Sequence, residues 1–210
     1  MPEDHMDTLY NAPNPLVRFV HRQRLDAISR MIPAGKNLRI LDAGCGEGHL
    51  LQKLHERYPE HTYTGIDITD IALQKAKERC PFADIRSMDL TQLSWSDATF
   101  DVVIITEVLE HIFEYEDVLR ECKRVLKNGG SFIITFPHES LWTVARFFLG
   151  RRPIKVPDHV NAFTPRRMRQ LMDMPLVRQR QLPFSLPFML ALGSAQEFHK
   201  FTRGTSSALQ

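Results

Sequence analysis

Apolar and polar positions along the chain change period several times, and each change marks a new element. Residues 16–32, "LVRFVHRQRLDAISRMI", carry Leu16, Phe19, Val20, Leu25, Ile28 and Ile32 near helical spacing, and Pro33 stops the helix. "NLRILDAG" is a short apolar strand running into a glycine turn, after which "HLLQKLHERYP" resumes helical spacing until Pro59. A second strand, "TYTGIDI", precedes "TDIALQKAKERC", a helix with Thr69 or Asp70 as its N-cap and Pro81 behind it. "ADIRSMDL" reads as a third, weaker strand. "FDVVIIT" is a continuous apolar run, as in a strand covered on both faces. The amphipathic "YEDVLRECKRVLK" is predicted as a helix closed by the glycines of "NGG", with a fifth strand, "SFIITFP", behind it. Thr164 and Pro165 open a last helix, "TPRRMRQLMDM". "LVRQRQLPF" and "EFHKFTR" alternate like a closing antiparallel pair.

Strands alternating with helices at this spacing predict an α/β sandwich around a mainly parallel sheet. Ligands of such sheets bind at the C-terminal strand ends, near the switch in strand order. Asp42, Asp67, Asp89, Glu107 and His138 fall at those ends. We expect a single domain over 1–210, in four stretches. These are an N-terminal cap helix (1–35), a ligand-binding core (36–137), a substrate-side insertion or lid (138–164), and a C-terminal helix with closing strands (165–210).

Composition narrows the class. A net charge of +2 is too small to direct the chain to nucleic acid or an anionic membrane. Cys45, Cys80 and Cys122 are odd in number and form no CxxC pair, so reduced thiols and a cytoplasmic location are expected. "MPEDHMDTLYNAPNP" has no apolar core of a signal peptide, and "LPFMLALG" falls far short of the roughly 20 residues of a spanning helix.

The glycine turn, "LDAGCGEGHL", is the first chemical signal. A triphosphate loop needs GxxxxGK[ST], and no lysine or hydroxyl follows these glycines. A dinucleotide fingerprint needs GxGxxG, but Gly44, Gly46 and Gly48 give GxGxG with His49 at the third glycine's place. Asp42, ahead of Gly44, would repel a pyrophosphate and suits an ammonium group.

With "ILDAGCGEGHL", "YTGIDI", "SMDL", "FDVVIITEVLEHI" and "VLKNGGSFIITFP" in this order, residues 16–137 resemble the class I S-adenosylmethionine-dependent methyltransferases. Within that family they look like the quinone-biosynthesis type that acts on small molecules. The resemblance implies a Rossmann-like three-layer sandwich with a mainly parallel seven-stranded sheet, its last strand antiparallel. It implies that Asp42, Gly44, Cys45, Gly46 and Gly48 hold the methionine end, and that Asp67 takes the ribose hydroxyls with Ile68 over the adenine. Asp89 would accept from the adenine amino group between Met88 and Leu90, and Glu107 would complete the pocket.

"TEVLEHI" has two readings. It can simply order the turn after the fourth strand. It also resembles the ExxEH pattern of ubiquinone-biosynthesis and small-RNA 2′-O-methyltransferases, which makes Glu107, Glu110 and His111 candidate ligands for Mg, Mn or Zn. His111, His138 and His159 are the candidate catalytic bases, and the latter two are also candidates to complete a metal site. The aromatic and basic stretch 140–157 and the apolar stretch 182–193 point to a hydrophobic, lipid-like small acceptor, with 140–157 a lid or a peripheral membrane contact. O-methylation is expected over C- or N-methylation. A metal-dependent RNA 2′-O-methyltransferase and a non-catalytic partner subunit that binds the cofactor are the alternatives. Nucleic acid is the less favoured partner, and the oligomeric state is not legible.

Overall fold

A computed structural model describes residues 15–137, 160–181 and 196–203. In chain order its elements are α1 (Pro15–Ser29), β1 (Arg39–Ala43), α2 (His49–Arg57), β2 (Thr62–Asp67), α3 (Asp70–Arg79), β3 (Asp84–Ser87) and β4 (Phe100–Thr106). There follow a 3-10 turn (Leu109–His111), α4 (Tyr115–Val125), β5 (Leu126–Pro137), α5 (Pro165–Met172), β6 (Leu176–Gln181) and β7 (Gln196–Thr202). Among the described residues seven strands form one sheet in the order β3-β2-β1-β4-β5-β7-β6. β1 to β5 are parallel, and β7 pairs antiparallel with both β5 and β6. The predicted closing pair is therefore present, with the last strand wedged between β5 and β6.

Alternation within the strands builds the three layers. Ile40 of β1 and Val102 and Ile104 of β4 face one core, with Ile28 of α1, Leu51 and Leu54 of α2, and Ala76 of α3. Their neighbours Leu41, Ala43, Val103 and Ile105 face the other, with Val118 and Leu119 of α4 and Met168 and Met172 of α5. Both faces of the central strands are thus covered, which accounts for their nearly unbroken apolar runs. The chain winds outward from β1 to β3 and returns to β4 on the other side of β1. The crevice between the ends of β1 and β4 is the topological switch point.

Two local expectations resolve differently. Helix α4 is not closed by a glycine cap. It ends at Val125, and Leu126 is already extended, fully buried and paired with Phe100. Residues 127–130 then bulge, with Gly129 at φ 75°, before Ser131 pairs with Val102. The carbonyls at the end of α4 are satisfied from elsewhere: the Arg203 guanidinium donates to those of Lys123, Arg124 and Leu126. Thr69 occupies the N-cap position of α3 without a side-chain cap bond, and its own N–H and that of Ile68 donate to Asp67 Oδ1. Thr164 does cap α5, its hydroxyl accepting from Arg167 N–H at 3.2 Å. His138, His159 and the stretches 140–157 and 182–193 lie outside the described residues. No described helix is long and apolar enough to cross a membrane.

Candidate cofactor site

A cavity of about 790 Å³ opens at the switch point, walled by the ends of β1, β2 and β4, the glycine turn, α1 and the segment after β3. The turn that forms its floor is pinned to β2. Gly44 and Cys45 both donate their N–H to the Ile66 carbonyl at 2.8 Å, and Gly46 N–H donates to Asp67 Oδ2 at 2.9 Å.

The three glycines are all left-handed, at φ 85°, 50° and 80° for Gly44, Gly46 and Gly48, but for different reasons. A Cβ on Gly44 would lie 2.5 Å from Val108 Cγ2, so this glycine lets the turn after β4 close onto the loop. A Cβ on Gly46 would meet nothing within 4 Å, and the residue lines the cavity. Gly48 is not in the cavity wall; its missing Cβ makes room for Cys80 Sγ and Ala76 of α3. Among the three, Gly46 leaves the opening that a bound molecule would use. Cys45 is in the wall, but burial pushes its thiol far above the ordinary range, so it is inert packing.

The acids at the strand ends have unlike surroundings. Asp42 is 1 % exposed, and among the described residues neither carboxylate oxygen has a hydrogen-bond partner. Burial first, and the charge of Asp67 second, push its pKa up to about 7. A buried carboxylate without a donor is costly, and it marks a place where a cation belongs. Asp67, by contrast, already accepts from Gly46, Ile68 and Thr69 N–H at 2.8–2.9 Å. Ile68 stands at the rim, 74 % exposed. Asp89 accepts both N–H and Oγ1–H of Thr91, which hold its pKa below the usual carboxylate value. Met88 and Leu90 flank it in the wall.

On the β4 side, Glu107 is left-handed at φ 54°, and its Oε1 accepts from Thr135 Oγ1 of β5 at 3.0 Å. His111 shares the wall with Glu107. Glu110 does not. It is 1 % exposed inside the 3-10 turn, whose backbone is strapped down by Val160 and Asn161. The expected set of Glu107, Glu110 and His111 therefore fails to converge. An α-helical turn would have placed the three on one face. Instead Glu107 precedes the turn in a left-handed conformation, and Glu110 turns inward. Among the described residues no three His, Cys, Asp or Glu side chains gather as a metal site.

A family model described as a methyltransferase domain matches residues 41–134, the span that carries this cradle. Over that span, just under half of the chain, the protein is similar to S-adenosylmethionine-dependent methyltransferases. A probable S-adenosylmethionine-dependent methyltransferase of Mycolicibacterium smegmatis is 33 % identical over 110 residues, 51 % of this chain and 41 % of that protein. A ubiquinone biosynthesis O-methyltransferase of Alkalilimnicola ehrlichii is 33 % identical over 117 residues, 53 % of this chain and 47 % of that one. The chain thus spans less than half the length of these curated relatives. In fold it is similar to the magnesium protoporphyrin IX methyltransferase of Synechocystis, solved with bound S-adenosylhomocysteine (TM-score 0.74, 19 % identity, covering 96 % of this chain and 94 % of that one).

Arg24 and Glu47 in the wall are not among the residues singled out from the sequence, and His49 enters there only as the residue at the third glycine's place. Arg24 sits four positions before Ile28 on the buried stripe of α1, a helical-wheel signal that does mark it. Glu47 lies inside the glycine turn and is 2 % exposed, with Lys75 Nζ at 3.1 Å and His49 Nε2 at 3.3 Å. Nothing in the local pattern announces that burial, because α3 closes over Glu47 from a distance in sequence.

Proposed function

We propose that this protein transfers the methyl group of S-adenosylmethionine to a small hydrophobic acceptor, with oxygen as the nucleophile. The observation that carries the reading is Asp42: a fully buried, unpartnered carboxylate in the wall of an open cavity, beside a glycine whose Cβ position is empty. An ammonium-bearing ligand meets that requirement, and a pyrophosphate does not. Asp42 accepts from the ammonium. Gly46 gives the backbone close approach, and Cys45 and the neighbouring glycines shape the loop around the methionine end. Asp67, fixed by three N–H donors, offers its remaining lone pairs to the ribose hydroxyls. Ile68, Met88 and Leu90 sandwich the adenine, and Asp89 accepts from its amino group. Bound in this way, the cofactor supplies an electrophilic methyl group, and the protein's part is positioning and exclusion of water.

The acceptor reading rests on the other half of the wall. Val108, Ile112 and His111 line it, and Phe113 beside them is 74 % exposed. The likeness to a ubiquinone biosynthesis O-methyltransferase supports an acceptor of phenol or catechol character. A hydroxyl nucleophile needs a base, and His111 is the candidate histidine that lines the described cavity.

Thermal unfolding with S-adenosylhomocysteine, S-adenosylmethionine or NAD tests this. At a hundred times its Kd a ligand adds about 2.7 kcal/mol, roughly 5–10 °C for a chain of this size. The two sulfur ligands should raise Tm and NAD should not, and Asp67→Ala should remove the shift. Stabilisation by NAD alone would overturn the reading. Methyl-tritiated S-adenosylmethionine incubated with simple catechols then tests the acceptor class.

A further inference from the structure

Seven acids stand in the cavity wall, and the only described side chain there with a permanent positive charge is Arg24. Five of the acids are accounted for. Asp42, Asp67 and Asp89 serve the cofactor reading, Glu47 holds Lys75 and His49 at 3.1 and 3.3 Å, and Glu107 accepts from Thr135. The other two, Glu114 and Asp117, come from the start of α4, just beyond the turn that carries His111. Glu114 is the N-cap residue and Asp117 lies three positions on, which puts both on one side of the first turn. Glu116 between them is not in the wall and accepts from Tyr115 Oη at 3.1 Å. Asp117 pairs with Arg120 at 2.7 Å, but that guanidinium is 71 % exposed and outside the wall, where solvent screens the pair.

Acids in the first turn of a helix complement its dipole, and Glu116 does that without entering the wall. Glu114 and Asp117 add negative potential to the side of the cavity where Val108, Ile112 and His111 stand. In a cleft lined by one sign of charge such potentials sum and sort incoming molecules. Asp42, a buried carboxylate in the same wall without a hydrogen-bond partner among the described residues, shows independently that positive charge is what this cavity lacks. We propose that the acceptor half selects by charge. It admits neutral or ammonium-bearing aromatic acceptors and rejects those that carry a carboxylate or phosphate, with Glu114 and Asp117 as the specificity-determining residues. This rests on the acceptor reading above and names the charge class which that reading left open.

The test is binding, not turnover. Catechol, dopamine and protocatechuate share one ring and differ in charge: neutral, ammonium and carboxylate. Their Kd values are measured by calorimetry on the chain saturated with S-adenosylhomocysteine, at low and at high salt. Dopamine should bind roughly tenfold more tightly than protocatechuate, the scale of one charge contact in a partly solvated site, with catechol between them. The spread should narrow at high salt. Glu114→Gln combined with Asp117→Asn should bring the three together while S-adenosylhomocysteine still binds, which shows the cavity intact. If the double variant loses that ligand, Glu114→Gln alone, at the exposed N-cap, carries the comparison and should narrow the spread in part. Protocatechuate binding as tightly as dopamine, or an order of affinities that survives the substitutions, would overturn the proposal. Binding of none of the three would overturn the phenol and catechol reading, and the charge class with it.

Discussion

Replacing Asp42 with asparagine removes a carboxyl group that folding takes entirely out of water. In the folded chain this group titrates near pH 7 in place of 3.8, with burial the larger cause and Asp67 the smaller. A shift of about three units corresponds to roughly 4 kcal/mol. The sign follows from proton counting. Below the unfolded value both states hold the proton and nothing is lost. As pH rises toward 7 the unfolded chain ionises while the folded chain does not, so stability falls by about 1.4 kcal/mol per pH unit until the folded group also ionises. Asparagine has no such slope. Urea unfolding of wild type and Asp42→Asn at pH 5 and pH 8 should therefore show the gap moving by about 3 kcal/mol in favour of asparagine. With saturating S-adenosylhomocysteine at pH 8 the order should reverse, because the ligand's ammonium supplies the missing partner only to aspartate. A gap that stays constant between the two pH values to within about 1 kcal/mol would refute the reasoning, and with it the view of Asp42 as a carboxylate waiting for a cation.

Alanine at each loop glycine separates three roles: Gly48→Ala should lower stability but leave S-adenosylhomocysteine affinity nearly intact, whereas Gly46→Ala should chiefly weaken the ligand, and Gly44→Ala should do both by displacing Val108; unfolding and binding isotherms on the same preparations read this out. Arg124→Ala breaks bonds to the Leu93 and Trp95 carbonyls and to Asp97 and Glu121; a loss of roughly 1–3 kcal/mol in urea is expected, with faster hydrogen exchange in residues 91–98. Asn161→Leu removes the side-chain donor to Leu109 and Ile112 carbonyls; exchange should rise locally at residues 108–113, with the global unfolding midpoint changing far less than in Arg124→Ala.

Much of the architecture was legible because the strands keep a period that only a doubly covered sheet requires. The order of β1 to β5, the capping of α5 by Thr164 and the closing antiparallel pair all follow from local pattern. The end of α4 did not, because its carbonyls are met by Arg203 from far along the chain, and no helix-end signal contains a distant guanidinium. In the site, Asp42, Asp67 and Asp89 were legible because each sits at or just past the C-terminal end of its strand. Gly48 read as part of the cradle because spacing does not show which side of a turn a missing Cβ faces. The metal set read from "ExxEH" depended on an α-helical turn. One left-handed residue and a 3-10 turn dissolve that face, and neither departs from the sequence pattern in any visible way.

The placement of β7 has a consequence for the order of assembly. Everything that walls the cavity in β1, β2 and β4 precedes β5 in synthesis, but β5 gains its second neighbour only when residues 196–202 arrive. Until then Phe132, Ile134 and Phe136 belong to a strand with one bare edge, and such an edge is a template for another nascent chain. The cradle can form early while its supporting sheet remains vulnerable late. Changes at Phe201 or Arg203, far from any cofactor atom, should therefore show themselves first as lost yield of folded protein, not as lost affinity in the molecules that do fold.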